Sequence, residues 1–174
     1  YRLLKIDTLD SNSIDDSALK GLTDKIKNTK SDAVIFSDFR HGIFNKTNIK
    51  ILSNSIKKNV IKVADSQVAS RWGNILDFKK FDLITPNEKE VRFSLADQDS
   101  SISELTRELS KLSGFKNLIL KLGERGTITV AKQNNSLSFA TPSFTKNVID
   151  AVGAGDALLA YASLCLASSK SIVS

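Results

Sequence analysis

Near the end of the chain, the stretch NVIDAVGAGDALLAYASLCLA (147–167) sets an acidic residue, Asp156, directly behind two glycines and ahead of an apolar helical run. Gly153 and Gly155 permit a tight turn with amide N–H groups directed outward. A helix that starts there adds uncapped N–H groups and the positive end of its dipole. Gly153, Ala154 and Gly155 thus read as an anion site suited to a phosphate. A carboxylate in the same place repels phosphate. It makes chemical sense as a general base that takes a proton from an attacking hydroxyl, while the loop amides stabilise charge growing on a transferring phosphoryl group. The plainer account of Asp156 is a first-turn acid favoured by the helix dipole.

Other motifs fail on spacing. A dinucleotide fingerprint needs a third glycine where Leu158 stands, and too few residues follow Leu158 for a helix, a turn and a strand. No P-loop pattern is present. The single histidine, His41, has no Cys or second His for a metal set. There is no G-x-S-x-G nucleophile elbow, so triad hydrolysis is not expected.

The elements that must hold such a site follow from periodicity. DAVIFSD (32–38), VIKVAD (60–65), FDLITPN (81–87) and NLILKLG (117–123) are short apolar runs, predicted as buried parallel strands. Between them lie helical stripes: Leu19, Leu22 and Ile26; Ile49, Leu52 and Ile56; Ile102, Leu105, Leu109 and Leu112. Ser101 and Glu104 predict a capping box before the third stripe, and Gly114 its stop. This alternation predicts a parallel α/β sheet with right-handed crossovers. GTITVAK (126–132), a QNN turn and SLSFA (136–140) predict an antiparallel hairpin at one edge. YRLLKID (1–7) reads as a further strand.

In open parallel sheets, ligands bind beyond the carboxyl ends of the strands. Those ends carry Ser37 and Asp38, then Asp65, then Asn87 with Glu88 and Glu90, then Lys121, Gly123 and Glu124. Taken alone, Asn87 reads as a helix cap. Four polar strand ends converging with a glycine loop read as a site.

The chain has 174 residues, 41% of them hydrophobic, enough for one domain with a core. Net charge is +6, but the lysines are scattered and form no stripe with aromatics, so no nucleic-acid partner is expected. No apolar run reaches the length of a membrane span, and no membrane partner is expected. One cysteine excludes an internal disulfide framework and fits a cytoplasmic setting. The chain lacks methionine altogether and opens inside a predicted strand, which is expected of a piece of a longer polypeptide.

These motifs resemble the ribokinase-like, or PfkB, carbohydrate kinases. DAVGAGD (150–156) is similar to that family's C-terminal signature, TPNEKE (85–90) to its N-x-x-E element, and LKLGERG (120–126) to its nucleotide-phosphate strand end. SDFRHG (37–42) and ADSQ (64–67) resemble segments of the branch that phosphorylates heptose 7-phosphate. His41 and Gln67 depart from lysines there, and Ala151 from a threonine in the signature.

The resemblance implies an α/β three-layer sandwich with a mainly parallel sheet, 1–174 forming one partial domain, the C-terminal half of the family's fold. It implies ATP-dependent phosphorylation of a sugar or sugar-phosphate hydroxyl, with ATP and Mg²⁺ as cofactors. Asp156 would be the catalytic base, and Gly153, Ala154 and Gly155 the anion hole. Asn87 and Glu90 would organise Mg²⁺ through water. Lys121, Gly123 and Glu124 would lie along the ATP phosphates, with Asp150 and Asp38 on the substrate side. The alternatives are a nucleoside or vitamin kinase of the same superfold, or a catalytically incompetent module. A lone half-fold is expected to be poorly active, and its uncovered surface to favour homo-oligomers.

Overall fold

The computed structural model describes residues 12–67, 74–132, 137–145, 147–148 and 150–172. The strand predicted over 1–7 and the QNN turn lie outside them. The elements run α1 (Asp16–Asn28), β1 (Ala33–Asp38), α2 (Lys46–Asn54), β2 (Ile61–Ser66), β3 (Leu83–Ile84), α3 (Glu88–Leu95), α4 (Ile102–Ser113), β4 (Asn117–Lys121), β5 (Thr127–Ala131), β6 (Leu137–Thr141) and α5 (Ala154–Ser169).

One six-stranded sheet has the order β1-β2-β3-β4-β5-β6. β1 to β4 pair in parallel, and β5 and β6 form the expected antiparallel edge. Side chains alternate across the pleat. Ala64, Ile84, Leu118 and Leu120 join the core under α2, α3 and α4, to which α1 adds Leu19, Leu22 and Ile26. Val63, Leu83 and Ile119 point the other way and meet Leu159, Ala162 and Leu166 of α5. The result is three layers, with helices on both faces. The first face is fuller. Phe36, Phe78 and Phe81 pack edge to face there, with centroids 5.1 Å apart for Phe36 and Phe81 and 5.5 Å for Phe78 and Phe81.

The predicted capping box is present: Ser101 caps α4 reciprocally with Glu104, and Gly114 ends the helix in the left-handed region. Three expectations needed correction. β3 is far shorter than 81–87, because the chain turns out of the sheet at Thr85 and Pro86 to enter α3. Leu112 is exposed, since the buried stripe of α4 runs through Leu105, Leu109 and Ser113 and leaves it at the edge. α2 stops at Asn54, so Ile56 reaches the core from the turn that follows rather than from the helix.

Candidate functional site

Gly153 is the N-cap of α5 and adopts φ 83°, a conformation that costs a glycine little. Asp150 accepts a hydrogen bond from the Val152 N–H (2.8 Å), which holds the loop just before it. Ala154 N–H donates to Ala151 O and Ala157 N–H to Gly153 O. Between them, the N–H groups of Gly155 and Asp156 make no backbone hydrogen bond among the described residues. The first turn of α5 therefore presents two unpaired donors and the helix dipole, with the exposed Asp156 carboxylate alongside. Gly155 is helical, and Lys121 lies beside it: a methyl group on Gly155 would stand 3.5 Å from Lys121 Nζ, an ordinary contact.

A cleft of about 450 Å³ opens in front of this turn, lined by Lys121, Gly123, Ala154 and Gly155 and by Pro142 and Phe144 from the segment after β6. Gly123 starts a tight 3-10 turn at φ 62°. Gly126 closes that turn at φ 88°, and a Cβ there would fall 2.0 Å from Thr141 O. The turn and the β6 exit thus touch backbone to backbone, and only glycine fits. Glu124 is exposed in this turn and does not line the cleft.

Asn87 caps α3 and pairs with Lys121 in a parallel bridge. Its side chain accepts from Glu90 N–H (2.9 Å) and donates to Glu90 Oε1 (2.7 Å), while Glu90 Oε2 accepts from Asn87 N–H (2.7 Å). The predicted pair is therefore a closed capping box around a buried carboxylate. Both Glu90 oxygens are engaged, and no group of three or more metal-ligating side chains converges among the described residues. Oxygen donors of this kind suit a hard cation that keeps its own waters rather than one bound directly by side chains.

Lys121 does not stand free. Its ammonium donates to both oxygens of Asp65, at 3.0 and 2.9 Å. Asp65 is buried at the end of β2. Burial pushes its carboxyl up, Lys121 pulls it back down, and the charge of Asp156 raises it again. Thr85 Oγ1 is fully enclosed, with no hydrogen bond of ordinary geometry, yet its hydroxyl still tempers the Asp65 carboxyl. Asp65 was read only as a polar strand end, and its contacts with Lys121 and Thr85 were not foreseen. A legible signal existed: opposite charges end the apolar β2 and β4 on the same pleat parity. What could not be read was that the Lys121 side chain reaches across the intervening chain to Asp65.

Asp38 is not part of this cluster. It shares the pleat parity of Phe36, on the sheet face away from α5. There it pairs with Arg40 (2.8 Å) and accepts from Arg40 N–H. The structure thus gathers Lys121, Gly123, Ala154, Gly155 and Asp156 at one end of α5, with Asn87 and Glu90 adjoining. Asp150 holds the loop, and Asp38 and Glu124 stand apart.

The family model described as "pfkB family carbohydrate kinase" matches residues 10–174. The chain is similar to the bifunctional protein HldE of Campylobacter jejuni subsp. doylei, at 30% identity over 98% of this chain and 36% of that one. It thus spans about a third of the length of the curated relatives it matches. Among solved structures it is similar to a mutant of phosphofructokinase-2 from Escherichia coli, with TM-score 0.76 and 18% identity over 92% of this chain and 52% of that one. It is also similar to an Arabidopsis thaliana ribokinase complexed with ribose and ATP, with TM-score 0.66 and 20% identity over 92% of this chain and 49% of that one.

Proposed function

Because this chain belongs to the pfkB family of carbohydrate kinases, we propose that it supplies the phosphate-binding and proton-accepting part of an ATP-dependent sugar or sugar-phosphate kinase. One observation carries the reading: an exposed carboxylate, Asp156, shares the first turn of α5 with two N–H donors that are unpaired among the described residues. In this mechanism a sugar hydroxyl attacks the γ-phosphorus. A new O–P bond forms, the bond to the β-phosphate oxygen breaks, and the hydroxyl proton passes to the Asp156 carboxylate. The N–H groups of Gly155 and Asp156 meet the charge that grows on the transferring group, each such donor contributing about 3–4 kcal/mol. Lys121 and the turn at Gly123 lie along the phosphates of the nucleotide in the cleft. Asn87 and Glu90 would hold Mg²⁺ through water, and bound Mg²⁺ supplies charge neutralisation to the phosphates. Asp150 keeps the loop in register for Asp156.

The relatives support the sugar class: ribose accompanies ATP in the ribokinase structure. A cytoplasmic setting with ready ATP belongs to the same reading. In the full-length protein, Asp156→Asn is expected to lower kcat for ATP-dependent sugar phosphorylation by about 10²–10⁴-fold with an unchanged melting temperature. The assay would follow ADP release across a panel of sugars and sugar phosphates. Turnover near wild type in the variant would overturn the assignment of the base.

A further inference from the structure

We infer that Asp65 is a positioning residue: through its two-oxygen ion pair it fixes the Lys121 ammonium beneath Gly155, at the mouth of the phosphate-binding turn. The inference rests on the kinase reading above and adds to it a role for Asp65, a residue to which that reading gives none.

Four observations carry it. First, the pair is long-range. Lys121 ends β4 and Asp65 ends β2, two strands away in the sheet. The Lys121 stem reaches Asp65 across the chain that leaves β3, whose Pro86 and Asn87 still pair with Lys121 through the backbone. Second, the carboxylate side of the pair is enclosed while the ammonium faces the cleft. Asp65 is 4% exposed, whereas Lys121 lines the cleft with Gly123, Ala154 and Gly155. Third, the donors add up. An ammonium has three N–H groups. Two are directed at the Asp65 oxygens, which leaves one for a ligand in the cleft. Fourth, a flexible four-carbon stem without a partner samples many rotamers. A buried carboxylate that engages it on two sides selects one of them before any ligand arrives. A buried ion pair is itself close to neutral for stability, so the position of the charge is what this pair adds.

The experiment uses the full-length protein and two readouts. The first is acylation of Lys121 by acetic anhydride, mapped by mass spectrometry and independent of activity. Asp65→Asn is expected to raise the Lys121 labelling rate about tenfold, the order of one charge-assisted hydrogen bond released. The second is steady-state kinetics with Mg-ATP varied. Asp65→Asn is expected to raise KM for Mg-ATP about tenfold, with a much smaller change in kcat. Adding Lys121→Met to Asp65→Asn should then leave KM where Asp65→Asn put it. The double variant also removes both buried charges, so the comparison survives if Lys121→Met alone does not fold. Unchanged labelling in Asp65→Asn overturns the proposal. So does a further rise in KM in the double variant, because Lys121 would then hold the phosphates without Asp65 to place it. So does a fall in kcat and melting temperature with KM unmoved, the mark of a merely structural pair. A wild-type protein that neither binds Mg-ATP nor phosphorylates any sugar overturns the kinase reading itself, and this proposal with it.

Discussion

Two buried aspartates end neighbouring strands, and each has a cation, but the two pairs are built differently. Asp38 ends β1 on the face covered by four helices, and its partner Arg40 lies two residues further on, in the left-handed region at φ 63°. That pair closes its own turn and takes in Ser66 of β2 through the guanidinium (3.0 Å). Asp65 ends β2 on the α5 face, and its partner comes from 56 residues away. A local pair needs little more than its turn. A distant pair needs the whole sheet to be in register, so it stands only where the fold is already complete. The contrast separates a charge spent on closing the chain from one held ready at a cleft. It matches the wider division of the sheet among the described residues, one face covered by four helices and the other by α5 with the glycine turn at its start.

The contrast can be broken in three ways. The largest effect is expected from Asp38→Asn. It leaves the enclosed Arg40, whose Nε already lacks an acceptor among the described residues, with an uncompensated charge. The loss is expected to be about 3 kcal/mol in chemical denaturation, with KM for Mg-ATP unmoved in the folded protein. A rise in KM matching that of Asp65→Asn would erase the distinction between the two pairs. Next comes Leu159→Ala, which removes a buried anchor of α5. It is expected to cost about 2–3 kcal/mol and to lower kcat as well, because α5 carries Asp156. A stability loss with full kcat would show that the loop holds its geometry without the helix.

The smallest effect concerns pH. Glu88 is partly buried, which works against its charge, but Arg92 and Arg125 outweigh this and hold its carboxyl below the ordinary 4.5. A depressed carboxyl contributes stability that is present above 4.5 and lost as pH falls through its folded value. Burial instead raises Asp38 and Asp65 above 3.8, so their share runs the other way and declines as pH rises through that range. Glu88→Gln should flatten the acid limb of a melting-temperature profile, and an unchanged limb would remove Glu88 from the account.

Much of the fold was legible because buried parallel strands are apolar on both sides and their helices keep a period near four. The ends of β1, β2 and β4 followed from where polar residues interrupt those runs. What was not legible was distance across the sheet. Nothing in TPNEKE says that only Leu83 and Ile84 pair as a strand with both neighbours, or that the Lys121 side chain reaches across the chain beyond them to Asp65. Within the site, the anion turn and Asp156 could be read because glycine spacing and a helix start are local. The separation of Asp38 from Lys121 was hidden for the complementary reason: a strand end fixes which edge a residue reaches, while its parity fixes which face. Glu90 was identified, but the closed exchange with Asn87 is a matter of side-chain geometry that spacing does not encode.

The strands lie in the sheet in the order in which they occur in the chain. During synthesis, each strand can therefore be laid beside its predecessor as it leaves the ribosome, with no place held open for one still to come. The crowded face is complete once the β4 to β6 edge has formed. Of the elements described, α5 emerges last, and it brings the anion turn and Asp156 onto a sheet already built. The nascent chain thus acquires its framework before it acquires the turn that carries Asp156.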